Sequence, residues 1–184
     1  MKFSALGLAG AWALTPQRHE DPRGHFARTF CREEFAQHGL ATELAQMSTS
    51  FNHHACTLRG MHYQAAPWAE AKLVRVTRGA VHDVLLDLRA DSPSFMRWQG
   101  VHLSAENGCA VYIPQGVAHG FLTLVECTEV LYAMDTPHHA DCARGVRWND
   151  PRFAIEWPLD GHQPVLSERD ASYADWTDSN GTAP

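Results

Sequence analysis

The chain lacks a C-x-x-C pair, and its five cysteines (Cys31, Cys56, Cys109, Cys127 and Cys142) are odd in number and widely scattered over 184 residues. That pattern fits reduced thiols in a cytoplasmic protein better than a disulfide framework. An excess of positive charge is missing too: the formal net charge is −6, which argues against a general nucleic-acid binder. No apolar run is long enough to span a membrane. The nearest approach is the opening MKFSALGLAGAWALT, which Gly7 and Gly10 interrupt and Pro16 follows without a clear recognition region. It reads as an early strand at residues 11–14 rather than as a signal peptide. Repeats, low-complexity segments and linkers are also lacking, so residues 1–184 are expected to form a single domain. The last stretch, ASYADWTDSNGTAP from residue 171 to 184, ends in small polar groups and is expected to fray.

What is present is ordinary globular composition, with 45% hydrophobic and 20% charged residues. A chain of this length can bury a real core without metal or disulfide staples. TFCREEFAQHG, residues 29–39, predicts one short helix with Thr29 as a possible cap and Gly39 as its stop. Elsewhere β-rich runs alternate with Gly, Pro and Asn turns: TLRGMHYQ, KLVRVTRGAVHDVLLDLR, RWQGVHLSAE, CAVYIP, HGFLTLV and TEVLYAMD. Period-two alternation puts Lys72, Val74 and Val76 on one strand face. Short strands at regular spacing predict an all-β antiparallel sandwich or barrel, with jelly-roll topology leading and one or two short helices.

GCAVYIPQGVAHGF, residues 108–121, sharpens that expectation. Gly108, Pro114, Gly116 and His119 resemble the second motif of the cupin superfamily: a strand, a Pro-Gly turn, and a histidine returned to the barrel mouth. Cupins often hold a metal with an H-x-H pair, a nearby Glu and this last His. Here His62 stands alone, because position 64 is Gln; Glu70 is a doubtful carboxylate, and an amide is a poor substitute for imidazole. The set is incomplete, so no metal is expected. The pairs His53-His54 and His138-His139 are weak metal signals and read first as surface residues.

A fuller resemblance runs from about residue 10 to residue 176. DPRGHFARTF, LRGMHYQ, KLVRVTRGAVHDVLLDLR, IPQGVAHGF, TEVLY, RGVRWNDP and LSERD occur in the order found in dTDP-4-dehydrorhamnose 3,5-epimerases. The resemblance implies a cupin-type jelly roll without metal or other cofactor, usually a homodimer that exchanges N-terminal strands, acting on a nucleotide-linked 4-keto-6-deoxyhexose. A C4 ketone acidifies the hydrogens on C3 and C5, because the carbanion delocalises into an enolate. Inversion then needs a base on one face, an acid on the other, and a cation at the enolate oxygen. By resemblance His62 is the base, a role that suits a group with near-neutral pKa. Asp170 orients and charges its imidazole, Tyr132 is the acid, and Lys72 is the cation beside the C4 oxygen. Each of the four, taken alone, has a bland reading as packed, solvated or snorkelling, but together they fall on one pattern.

Binding positions follow by the same resemblance. Arg23 and Arg59 match residues that meet the diphosphate, a task suited to the planar guanidinium. His119, Gln46 and Arg169 match ligand-facing positions, Arg169 where the family usually has Lys. Departures gather on the nucleotide side: Arg28 for Glu, Ser48 for Asn, Ala143 for Glu, and His138 where a Tyr often stacks on thymine. The expected function is therefore epimerisation of a nucleoside-diphospho-4-keto-6-deoxyhexose at C3, C5 or both, with the nucleotide left open. The competing readings are a metal-dependent cupin enzyme on His62, Glu70 and His119, and a non-catalytic sugar-nucleotide binding cupin.

Overall fold

The computed structural model describes residues 1–177. Thirteen strands and two short helices form it, in the order β1 (Lys2–Ala5), β2 (Trp12–Thr15), β3 (Arg18–Asp21), β4 (Gly24–Ala27), α1 (Arg32–Gln37), β5 (Gln46–Asn52), β6 (Leu58–Gln64), β7 (Lys72–Arg78), β8 (Ala80–Asp87), β9 (Trp98–Ser104), β10 (Ala110–Ile113), β11 (Val117–Thr123), β12 (Thr128–Met134), β13 (Ala143–Gly145) and α2 (Glu168–Ser172). One sheet has the order β1-β2-β10-β7-β12-β5 and the other β13-β6-β11-β8-β9. All strand pairings within them are antiparallel. The expected all-β, cupin-type jelly roll is what the chain forms.

Glycine turns place consecutive strands in opposite sheets. The run KLVRVTRGAVHDVLLDLR is two strands, β7 and β8, and the chain changes sheets at Gly79. Its φ is +78°, and a Cβ there would lie 2.3 Å from Thr128 Oγ1, so only glycine fits. Gly116, at φ +79°, makes the same crossing from β10 to β11 in the Pro-Gly turn. The alternation expected for β7 also holds: Val74 and Val76 join Val81, Leu85, Leu103, Val111, Phe121 and Val130 between the sheets, while Leu73 packs on the other side.

Each outer face has its own cover. α1 is shorter than the predicted 29–39, and its cap position is Cys31, with no side-chain cap bond, so Thr29 does not cap it. Gly39, at φ +68°, does end it. Its buried Phe35 packs with Leu14, Leu73 and Tyr112 on the six-stranded sheet. The C-terminal segment covers the five-stranded sheet. Val165 bridges to Thr57, and Trp176 packs with Met61, Val84, Val146 and Phe153 while its N–H donates to Asp150. The stretch after residue 171, expected to fray, is therefore docked as far as residue 177, because an aromatic side chain at 176 has a buried slot to fill. The rest of that stretch lies outside the described residues. β3 and β4 stand apart as a two-stranded arm whose residues are almost all exposed, Phe26 by 76%.

Removing the Trp176 ring leaves a cavity and frees the segment that carries α2. Trp176→Ala is expected to cost about 3 kcal/mol in denaturant unfolding. A loss below about 0.5 kcal/mol would mean that the segment contributes no packing.

Candidate active site

β6 carries His62 at the barrel mouth, directly opposite His119 of β11. The two strands approach closely one step away: a Cβ on Gly60, at φ +137°, would lie 2.5 Å from Gly120 Cα. The ladder is irregular there, with a register shift between His119 and Phe121. Glycine at both positions is what lets these strands pack and fixes where the two histidines sit.

His62 Nε2 lies 2.6 Å from Asp170 Oδ1. The imidazole is 38% exposed and the carboxylate 5%, so the ring opens to solvent and its partner is sealed behind it. Asp170 is brought there by α2: Ser167 Oγ accepts the Asp170 N–H at 3.1 Å, and α2 packs on β6. Gly60 N–H points to Asp170 Oδ2 at 3.4 Å. Burial pushes the Asp170 carboxyl up, but the hydrogen bond and charge of His62, then Gly60 N–H and Ser167, hold it below its ordinary value of 3.8. An ionised carboxylate only accepts, so Nε2 is the nitrogen that donates in this pair, and Nδ1 is the nitrogen not engaged by Asp170. Tyr173 lies edge-on to His62, ring centroids 6.1 Å apart, over Gly145, where a Cβ would fall 2.1 Å from its ring.

His62 opens into a cleft of about 420 Å³ that Lys72 and Tyr132 also line. Lys72 Nζ is 2.9 Å from Glu70 Oε1, and both side chains are nearly buried. Burial first, and the charge of Asp83 second, drive the Tyr132 phenol well above its usual value; a 3.4 Å contact with Ser50 Oγ and the charge of Arg59 oppose this without overcoming it. The phenol thus keeps its proton across the physiological range. Four side chains chosen from the sequence meet at one place.

The binding set is only partly assembled there. Gln46, Ser48, His138 and Arg169 line the cleft, as does Ala143. His119 is not a lining residue: it is buried beside Tyr132, ring centroids 6.0 Å apart, and its Nε2 meets Asp83 Oδ2 at 2.7 Å. Arg59 is exposed nearby, its Nε donating to Asn52 Oδ1 at 2.7 Å. Arg23 and Arg28 do not reach this cleft. Arg23 sits at the tip of the β3–β4 arm, paired with Asp21 at 2.6 Å, and Arg28 pairs with Glu34 at 2.8 Å. The arm joins neither large sheet, which is why the sequence neighbourhood of DPRGHFARTF does not become a cleft wall.

Sequence reasoning missed Arg144 and Tyr63 as lining residues, and treated Gln64 and Glu70 only as candidate metal positions. Glu70 is engaged by Lys72, His62 and His119 each face a carboxylate, and among the described residues no three His, Cys, Asp or Glu side chains gather into a metal-binding group. The metal reading has no donor set among them. His138 is exposed but lines the cleft, and its backbone N–H donates to Gln46 Oε1 at 2.9 Å; His139 stacks on Trp68 with centroids 3.7 Å apart. Among the described residues neither Arg144 nor Arg169 forms an ion pair. The cleft is locally cationic in a chain of net charge −6.

The jelly roll and its cleft place the chain in the class of cupin-type sugar-nucleotide epimerases. The family profile for dTDP-4-dehydrorhamnose 3,5-epimerase matches residues 5–178, and the chain belongs to that family. It is 39% identical over 172 residues to the dTDP-4-dehydrorhamnose 3,5-epimerase of Sinorhizobium fredii, covering 94% of this chain and 88% of that protein. It is 36% identical over 171 residues to the dTDP-4-dehydrorhamnose 3-epimerase of Streptomyces niveus, covering 92% and 81%. The crystal structure of dTDP-4-dehydrorhamnose 3,5-epimerase from Bacillus anthracis, with TDP and PPi bound, is similar with a TM-score of 0.91 at 38% identity, covering 95% of this chain and 99% of that one.

A depressed carboxyl makes a pH prediction with a fixed sign. Asp170 has a lower pKa folded than unfolded, so its stabilisation is present above the unfolded value and is lost as pH falls through the folded one. The stability difference between wild type and Asp170→Asn, read by denaturant unfolding, is expected to be open at about pH 6 and to close below about pH 4. A difference that does not shrink as the pH falls from about 4 to about 2 would contradict the assignment.

Proposed function

We propose that the chain inverts C3, C5 or both in a nucleoside-diphospho-4-keto-6-deoxyhexose, with dTDP the first candidate nucleotide. The observation that carries the reading is the convergence of the His62–Asp170 pair, Lys72 and Tyr132 on one cleft. His62 Nδ1 takes the proton from the carbon next to the ketone. The C–H electron pair moves into the C–C bond as the carbonyl becomes an enolate, and the Lys72 ammonium faces the oxygen where negative charge grows. Tyr132 delivers a proton to the opposite face of the carbon, and the ketone re-forms. Asp170 stabilises the imidazolium while it exists, as a fixed and already desolvated charge. Every step uses side chains alone.

Binding rests on the cationic side of the cleft: Arg169 and Arg59 suit the diphosphate, while Gln46, Ser48 and His138 suit the nucleoside. Arg23 is assigned to the diphosphate through a homodimer. Its β3–β4 arm is exposed on both faces and carries Phe26 outward, an arrangement that a second copy of the chain would bury. We read the whole chain as one catalytic domain, and its five unpaired cysteines favour a reducing, cytoplasmic setting. Among the described residues no helix is long and apolar enough to cross a membrane. Similarity to both a 3,5-epimerase and a 3-epimerase leaves the number of inverted carbons to experiment.

Incubation in heavy water with dTDP-4-keto-6-deoxyglucose is expected to place deuterium at C3, C5 or both, read by NMR; no exchange at either carbon with several nucleotides would end the proposal. His62→Ala is expected to lower kcat by orders of magnitude with a modest change in KM, because a base acts in the transition state. Retention of more than about a tenth of the activity, a span of roughly 1.4 kcal/mol, would remove His62 from that role. Calorimetric titration with dTDP, UDP, CDP and GDP tests the nucleotide side. An imidazole at 138 stacks over less area than a phenol ring, and base stacking contributes about 1–3 kcal/mol. A dTDP preference below about a hundredfold, near 2.7 kcal/mol, is expected; a larger one would make the substitutions neutral.

A further inference from the structure

Position 64 is where a metal-binding cupin would carry the second histidine of its pair. Gln64 is 3% exposed, and its amide is almost fully used. Its Nε2 donates to Trp68 O at 2.9 Å and to Pro137 O at 3.2 Å, and its Oε1 accepts the His139 N–H at 2.6 Å. The first carbonyl belongs to the loop between β6 and β7, and the other two groups to the loop between β12 and β13. One side chain thus joins two loops that are neighbours in space and distant in sequence.

Other contacts follow the same seam. Trp68 and His139 stack with rings 13° from parallel, Thr136 Oγ1 donates to Ala69 O at 3.1 Å, and Ala71 N–H donates to Asp135 Oδ1 at 2.7 Å. Together they make the two loops one wall of the cleft. His138 projects from that wall, and its N–H holds Gln46 Oε1 at 2.9 Å. Only an amide fills position 64 in this way: a carboxylate of equal shape has no donor for two carbonyls, and a neutral imidazole has one N–H.

We propose that Gln64 is a positioning residue for nucleotide binding, locking the two loops so that His138 and Gln46 keep their places. This rests on the reading of the cleft as a nucleotide-sugar site. His62, Lys72, Tyr132 and Asp170 sit on β6, β7, β12 and α2, outside the clamped loops, and only Glu70, the partner of Lys72, lies within one of them. Loosening the wall therefore weakens binding and leaves the chemical step in place.

The test uses the full-length protein, wild type and Gln64→Glu, with dTDP titrated by calorimetry and dTDP-4-keto-6-deoxyglucose as substrate. The Kd for dTDP and the KM are expected to rise by about tenfold or more, a change near 1.4 kcal/mol, while kcat at saturation stays within about threefold. Amide exchange at His139 is expected to quicken. Trp68→Leu, a change on a half-exposed ring, is the second variant should Gln64→Glu fail to fold; it is expected to weaken dTDP in the same direction by about two- to fivefold. Unchanged dTDP affinity in a folded Gln64→Glu overturns the clamp, as does a fall in kcat at unchanged affinity. If Gln64→Glu does not fold, unchanged dTDP affinity and His139 exchange in Trp68→Leu overturn it. A wild type that binds dTDP without turning over substrate refutes the proposed reaction and not the clamp; a wild type that binds no nucleotide refutes both.

Discussion

The hydrogen bond between His62 and Asp170 is the contact around which the C-terminal third of the chain is arranged, and it joins residues 108 positions apart. A buried carboxylate is costly unless it is ionised against a partner and hydrogen-bonded. Asp170 meets that condition through the imidazole, the Gly60 N–H and the helix that Ser167 caps. The helix holds its place only because the chain on both sides is anchored, by Val165 against Thr57 and by Trp176 in the outer core. Gly145 must lack a side chain for Tyr173 to lie behind the ring. Packing far from the cleft therefore sets the direction in which one imidazole nitrogen points.

The cleft answers two chemical needs with different parts of the fold. Strand residues, whose directions the ladders fix, carry His62, Lys72 and the buried Tyr132 phenol. The Gln64 amide joins two loops, one of which brings His138 to the cleft lining. Charge is divided in the same way. Lys72 is balanced by Glu70 where an enolate would form, while Arg144 and Arg169 remain available to an anion.

Where hydrophobic alternation or a glycine turn marked the chain, the sequence was readable. β6 to β12 were visible as runs, and Gly116 marked one crossing in its Pro-Gly turn; β7 and β8 read as a single run, because nothing in the local pattern announces the change of sheet at Gly79. β5 was not, because QMSTSFN has a mostly exposed, polar pattern and owes its pairing to the backbone of β12. β3 and β4 bury almost nothing in one chain, so no apolar period could announce them. Of the site, His62 and His119 stood out as histidines on strands. Asp170 is different: a carboxylate in a polar segment next to an arginine has no local signature, and only the ordered motifs drew attention to it. The docking of Trp176 had no local signal, because the small polar residues around it hide one buried tryptophan. Gln64 was visible as a missing ligand, but its bonds to two loops depend on a fold that local pattern does not contain.

The central claim is that Asp170 fixes the His62 ring with Nε2 protonated and Nδ1 free to act as the base. Long-range proton–nitrogen NMR of the protein with labelled histidine reads this directly, with His62→Ala identifying the signal. Above the pH at which the ring titrates, the account predicts a protonated Nε2 and an unprotonated Nδ1 in the wild type, and a mixture of tautomers once Asp170→Asn removes the charge. A wild-type ring protonated at Nδ1, or a tautomer that does not respond to Asp170→Asn, would contradict it.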